Sequence, residues 1–378
     1  MTLPVIVEAL RSPIGRAGGR LRDLAAPDLA APVLAAVHRR LDQPRIDEVV
    51  LGNCMGPGGD VARVAALAAG LGVEVPALTV DRQCGSGLTA VSTAAALVTA
   101  APGLVLAGGV ESASTAPWRY WPPADDQPPE RYTRAPFAPI GFADPDMGDA
   151  ADRLAAATGI GRDAQDGYAA RSHARAVATA TAGGFAAETV PVAGLDHDER
   201  PSAGLTVARL SRLSPVFRPV VQGGTVTIGT SSGVNDGAAV VAVVDGEEHA
   251  RSGRRGLRLL ASATAAVDSD RPGIGLVPAV QLALERAAVD MAAVDVVEFN
   301  EAFAGQILAC CAALGLDPER VCPQGGALAL GHPWGASGAV LLVRLFSQLV
   351  RTPRPGALGL AAIAVGGGQG VAMVVQSC

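Results

Sequence analysis

The chain of 378 residues contains no lysine, so all 30 of its basic side chains are arginine. That absence excludes a lysine Schiff base and the phosphate-gripping lysine of a P-loop. Aromatic residues make up only 3% of the chain, the formal net charge is −6, and no basic run interleaved with aromatics occurs. Nucleic acid is therefore not an expected partner. The six cysteines, Cys54, Cys84, Cys310, Cys311, Cys322 and Cys378, are few for this length and lack C-x-x-C pairing. No metal centre is expected from them, and a reduced, cytoplasmic setting is. The stretch from Met1 to Pro13 has no long apolar segment of the secretory kind, and no run of about 18 or more apolar residues follows, so a membrane is not an expected partner either.

What is abundant is small and apolar: 46 glycines and 49% hydrophobic residues, with a mean hydropathy of +0.31. This is enough to bury two ordinary cores, and it suits helices packed closely on buried sheets. The expected class is α/β, as two domains or one doubled domain.

The chain reads as doubled. Pro32 to Leu41 has helical apolar spacing and Ile46 to Gly52 reads as a buried strand. Ala77 to Val80 is a second strand, Cys84-Gly85-Ser86-Gly87 opens a helix from Leu88 to Thr99, and Gly103 to Gly109 is a third strand. The last third repeats the order: a helix from Pro278 to Ala288, a strand from Val294 to Phe299, and a loop Gly331-His332-Pro333-Trp334-Gly335 that opens another helix. Asp47 lies 37 positions before Cys84, and Asp295 lies 37 before His332. Strands alternating with helices in this way predict largely parallel sheets with right-handed crossovers, the two halves stacking into an α/β/α/β/α core. Cys84 and His332 then occupy equivalent loops at the junction. Between the halves stand a Pro-rich stretch from Trp121 to Pro139, a helical tract from Met147 to Phe185 and a turn-rich return, which read as an insertion suited to a bulky substrate.

A cysteine at the first turn of a helix faces unsatisfied N–H groups and the positive end of the dipole, which favours its thiolate. By itself such a cysteine is more often a small buried hydrophobe. The glycines after Cys84 shift the reading toward a nucleophile, because they let backbone N–H groups approach a bound carbonyl oxygen. Among the five histidines only His332 sits in a glycine-lined loop opening a helix, and it is the candidate base. His38, His173, His197 and His249 stand beside charged or turn residues and are expected at the surface. Asn300, in Asn300-Glu301-Ala302-Phe303, can donate to an oxyanion or cap a helix. The run Gly366-Gly367-Gly368-Gln369-Gly370 offers N–H groups after a strand, a weak signal alone. Gly229-Thr230-Ser231-Ser232-Gly233 fits G-x-S-x-G, but Val234 to Val244 reads as turn then strand where a serine hydrolase needs a helix.

These four segments, in their order, resemble the motifs of the thiolase family, and Gly108 to Ser112, Met147-Gly148, Gly224 to Thr227 and Ser232 to Ala238 extend the likeness over nearly the whole chain. The resemblance implies the thiolase fold, with duplicated βαβαβαββ halves in a five-layer core. Residues 1–117 would form the first half, completed by about 225–250, 118–224 a loop domain over the coenzyme A site, and 251–378 the second half. It implies an acyltransferase with a coenzyme A thioester as substrate, no permanently bound cofactor, and a homodimer or homotetramer. Cys84 would take the acyl group and His332 would deprotonate it. Asn300, with a water and His332, would hold the thioester oxygen of the condensation half-reaction, and the Cys84 and Gly366 N–H groups would form the other oxyanion hole. Ser232 matches the pantetheine contact, Met147 the acyl-pocket loop, and Gly331 and Phe303 flank the site.

One position departs from the family pattern. Thiolases usually carry a second cysteine two residues before the final glycine run, as the acid/base for the α-proton, and here that residue is Ala364. Neither Cys322 nor Cys378 occupies its place. Thr230, Ser231 and Asp146 also depart from common family residues. Three readings follow: formation or cleavage of a 3-oxoacyl thioester with another proton carrier, acyl transfer from Cys84 to a heteroatom acceptor or water, and a non-catalytic acyl-CoA-binding subunit.

Overall fold

The computed structural model of the chain describes residues 3–123 and 127–378. Residues 1–2, at the start of the Met1 to Pro13 stretch, and residues 124–126 of the Pro-rich stretch lie outside the described residues. The first half runs β1 (Val5–Arg11), β2 (Gly15–Arg16), α1 (Ala26–Arg40), β3 (Glu48–Gly52), α2 (Val61–Ala68), β4 (Ala77–Val80), α3 (Ser86–Ala100) and β5 (Leu104–Ser112). The middle segment holds the hairpin β6 (Arg119–Trp121) and β7 (Glu130–Tyr132), then α4 (Met147–Ala157), α5 (Arg162–Thr181) and α6 (Val207–Leu210). β8 (Asn235–Val244) and α7 (Gly246–Ser252) lead to the second half: β9 (Leu257–Ala266), α8 (Leu276–Ala287), β10 (Val296–Phe299), α9 (Ala304–Leu314), α10 (Ala327–Leu330), α11 (Trp334–Phe346), β11 (Leu358–Val365) and β12 (Gln369–Ser377).

The strands join in the order β10-β11-β12-β9-β1-β8-β5-β3-β4. The duplication is visible in the pairing itself. β3 lies parallel to β5 as β10 does to β11, and β5 lies antiparallel to β8 as β11 does to β12. β8 and β1 are antiparallel, and so are β12 and β9. β4 is matched by a single parallel bridge between Val297 and Val321. Asp47 and Asp295 play one role twice: each carboxylate accepts from the first residue of the next central strand, Leu104 and Leu358, both at 2.9 Å. The halves meet edge to edge where β1 pairs with β9 through Val5, Ile6, Leu257 and Arg258.

Two expectations are corrected. The sheet is mixed rather than largely parallel, because β8 and β12 each return antiparallel beside the central strand of their half, β12 through a tight turn and β8 after the whole middle segment; β5 and β8, buried along their whole length, read as continuous apolar runs in either orientation. The first helix starts at Ala26, before Pro32, and runs over that proline, which removes one intrahelical donor without ending the helix.

Three apolar clusters give the layers. α1 and α2 cover one face of the first half-sheet, α8 and α9 cover one face of the second, and α3 and α11 fill the middle, with Leu88, Val91, Leu341 and Leu345 packed between Val241, Val243, Ile363 and Met373. The two central helices touch backbone to backbone. A Cβ at Gly338 would lie 2.4 Å from Leu88 N, and one at Gly87 would lie 2.8 Å from Gly335 O. Glycine is required there for close approach, which brings both helix starts, and the loops before them, to one place.

Candidate active site

Cys84 sits in the turn just before α3, whose first helical residue is Ser86. The turn is held by its own side chains: Asp81 Oδ1 accepts from Gln83 N at 2.7 Å, while Ser86 Oγ accepts from Arg82 N at 2.7 Å and donates to Gln83 O at 2.6 Å. Gln83 adopts a positive φ of 45°, an uncommon state for a non-glycine residue that this net of bonds maintains. The backbone N–H of Gly366, just past the end of β11, and that of Cys84 itself act on the Cys84 sulfur in the direction that favours its charged form. The Phe137 ring, from the middle segment, packs over Gly366 and leaves no room for a Cβ there.

His332 is set from three directions. Its backbone N–H donates to Asn235 Oδ1 at 3.0 Å, its Nδ1 lies 2.6 Å from Ser337 Oγ one turn into α11, and its Nε2 lies 3.5 Å from Asn300 Nδ2. The amide nitrogen can only donate, so Nε2 is the proton-accepting nitrogen and the ring proton resides on Nδ1, donated to Ser337. Gly331 has a φ of 119°, and a Cβ there would lie within 2.6 Å of the Asn235 amide. The buried Glu111 ties the two loops together, accepting from Asn53 Nδ2 at 3.0 Å and from the backbone N–H groups of Cys54, Met55 and Gly335, each at 3.1 Å.

A cavity of about 330 Å³ opens on Cys84, His332 and Gly366 together. Met147, Ser232 and Phe303 line it as well, and so does Ala364. Asn300 and Gly331 stand behind His332 and line a separate small cavity instead. Cys322 is buried and donates to Phe299 O at 3.2 Å, and Cys378 lies against Gly256 and His249, so neither thiol reaches the main cavity. Gln306, Phe217 and Trp334 also form its wall. Phe217 meets Phe303 edge to face, with ring centroids 6.1 Å apart. These three, and the supporting Ser337, Asn235 and Glu111, were not assigned roles from sequence. Ser337 had a readable signal, since its position five residues after His332 returns it to the ring.

Burial governs the charge states. It pushes the Cys84 thiol up to about 12, against the lowering effect of the Gly366 and Cys84 N–H groups, and Glu111 and Asp81 add to the rise. The thiolate expected from the helix N-terminus is thereby corrected to a resting thiol: loss of water around the sulfur outweighs the dipole. Burial also lowers His332 to about 4, keeping its imidazole neutral and able to accept a proton. His173, expected at the surface, is buried on α5, where desolvation and Arg200 lower it to about 4. Among the described residues no group of three or more His, Cys, Asp or Glu is placed to hold a metal ion, and no helix is long and apolar enough to cross a membrane.

The comparisons with known proteins span nearly the whole chain. Residues 4–247 match the family description "Thiolase, N-terminal domain" and residues 254–377 match "Thiolase, C-terminal domain". YhfS of Bacillus subtilis (strain 168), which bears a provisional acetyl-CoA C-acetyltransferase name, is 40% identical over 376 residues covering 98% of each chain. VraB of Staphylococcus haemolyticus (strain JCSC1435), provisionally named in the same way, is 39% identical over 384 residues, again covering 98% of each. The crystal structure of the Bacillus anthracis acetyl-CoA acetyltransferase superposes with a TM-score of 0.91 at 35% identity, covering 100% of this chain and 99% of that one. With a thiol and an imidazole lining one cavity, a duplicated five-layer core and both family domains matched in sequence, the chain belongs to the thiolase family.

Proposed function

We propose that this protein is a thiolase-type acyltransferase that carries the acyl group of a coenzyme A thioester on Cys84. The reading is carried by one observation: the Cys84 thiol, the neutral His332 imidazole and the Gly366 N–H group meet on a single cavity large enough for a thioester. Cys84 Sγ attacks the thioester carbonyl while its proton passes to His332. The developing oxyanion is held by the Cys84 and Gly366 N–H groups, and the leaving coenzyme A sulfur regains the proton from His332. A partly buried, protonated thiol that shares its cavity with a neutral base suits this order, since the sulfur ionises only as it attacks.

The acyl-enzyme is then discharged in one of two ways. A second acyl-CoA, its carbonyl oxygen held near Asn300 and His332, gives a 3-oxoacyl-CoA, and the reverse sequence cleaves one. Ala364 supports the other route, discharge to a heteroatom acceptor or water, because this residue of the cavity wall carries only a methyl group, which cannot transfer a proton. Residues 118–224 are proposed to cover the coenzyme A site, supported by Met147, Gly148, Ala150, Ala151 and Phe217 of the cavity wall coming from that stretch. Assembly as a homodimer or homotetramer is supported by the exposed Trp118, Tyr120 and Trp121, and a cytoplasmic location by six free cysteines.

The test is intact-protein mass spectrometry after mixing with acetyl-CoA and longer acyl-CoAs, followed by product analysis. The unaltered protein gains one acyl mass and Cys84→Ala gains none. Labelling of Cys84→Ala would remove Cys84 as the nucleophile. Formation of 3-oxoacyl-CoA, against release only to water or a heteroatom acceptor, separates the two discharge routes.

A further inference from the structure

Behind His332 the chain builds a second polar site that the transfer chemistry above leaves unused. On β10, alternation places Val296, Glu298 and the following Asn300 on the face toward the central layer, with Val297 and Phe299 in the outer core. On α11 and its extension, Ser337, Leu341, Arg344 and Gln348 recur at helical spacing toward that strand. Gln348 Nε2 donates to Glu298 Oε1 at 2.7 Å. Arg344 spends its terminal nitrogens on Glu188 and Gln324, and its Nε has no acceptor although the side chain is almost wholly buried. Between these groups lies a small cavity of about 10 Å³ whose polar lining is Glu298, Asn300, Ser337 and Arg344.

That volume corresponds to about one water molecule, and a buried water is retained where it finds two to four polar partners. Here a guanidinium N–H must donate, the Glu298 carboxyl, which burial raises to about 7, offers an acceptor oxygen in either protonation state, and an amide and a hydroxyl complete the set. We propose that this cavity is a built water site through which Glu298 and Arg344 orient the Asn300 amide, making Glu298 a positioning residue for the second oxyanion hole. The proposal rests on the reading of Asn300 given above. Glu298 touches no substrate. By holding the Asn300 amide in place it acts on the step in which that amide faces the thioester oxygen, while the base for the attack by Cys84 stays set by the bond between Nδ1 of His332 and Ser337.

The experiment separates the two half-reactions in Glu298→Gln at a pH above the value of about 7 to which burial raises Glu298, where a carboxylate acceptor becomes an amide whose added N–H faces another donor. Acylation of Cys84 by acetyl-CoA, followed by rapid-mixing mass spectrometry, is expected to stay within about twofold of the unaltered protein. Formation or cleavage of 3-oxoacyl-CoA is expected to fall roughly 10- to 100-fold, since small misplacements of an oriented group have effects of that size. Glu298→Asp should recover part of the loss, and Glu298→Gln should add nothing in an Asn300→Ala background. A proportional loss in both half-reactions, no loss in either, or additivity with Asn300→Ala overturns the proposal. A crystal structure of the unaltered protein gives an independent reading: one water within hydrogen-bond distance of Arg344 Nε and Glu298 supports it, and a dry cavity overturns it. Failure of Cys84 to acylate in the unaltered protein would instead count against the proposed function.

Discussion

Restoring a thiol at position 364 should raise carbon–carbon bond chemistry selectively. Ala364 lies near the end of β11, paired with Gly370 of β12, and lines the cavity that also holds Cys84, His332 and Gly366. In Ala364→Cys one sulfur enters open space of about 330 Å³, so overpacking is avoided and stability should change by less than about 1 kcal/mol. A positioned proton carrier contributes about 10²- to 10⁴-fold in rate, or roughly 3 to 5 kcal/mol in barrier. The gain is expected only in the step that moves the α-proton, because acylation of Cys84 uses His332 and the Gly366 N–H. The assay follows 3-oxoacyl-CoA formation from acetyl-CoA, alongside the rate of acyl-enzyme formation by mass spectrometry. If Ala364→Cys acylates normally and condenses no faster than the unaltered protein, proton transfer at position 364 is not what limits this enzyme, and the weight placed on Ala364 is misplaced.

Three further outcomes follow from the same geometry. Ser337→Ala strands the Nδ1–H of a buried imidazole; losing such a partner is typically worth about 1 to 3 kcal/mol, so kcat/KM should fall roughly 10- to 100-fold with folding retained, and unchanged kinetics would remove Ser337 as the group that sets the tautomer. Gly338→Ala puts a Cβ 2.4 Å from Leu88 N, against backbone that cannot yield, and denaturant titration should register a loss of about 1 to 3 kcal/mol. The folded-state value of His332, lowered from 6.5 to about 4, means that the unfolded chain binds the proton more tightly. Stability from this group is complete above about pH 6.5 and is lost as pH falls toward 4, by on the order of 3 kcal/mol, with His173 acting in the same direction. The buried Glu298, raised to about 7, acts in the opposite sense over the same range, so the check is on the rings themselves: NMR titration of His332 and His173 with midpoints near 6.5 would contradict the burial assigned to both.

The architecture was legible because it is written in local patterns. The repeated helix–strand order, and the two aspartates placed 37 residues before Cys84 and His332, recur in the fold as equivalent caps on β5 and β11. Strand direction was not legible in the same way. A strand buried on both faces, such as β5 or β8, shows no alternation, and its pattern is the same whether its neighbour runs parallel or antiparallel.

The candidate chemistry divides along the same line. Residue type and glycine context single out Cys84, His332 and Gly366, because a nucleophile, a base and an exposed N–H each need a particular local backbone. Their charge states depend on how much water the packed layers remove: desolvation acts over the whole environment, and it turned an expected thiolate into a thiol and an expected surface His173 into a buried one. The support shell is likewise non-local. Asn235, Glu111 and Glu298 reach the site across 97, 224 and 50 residues in their bonds to His332, Gly335 and Gln348. No window of sequence contains both ends of such a bond, so only the closing of the two halves on each other brings them together.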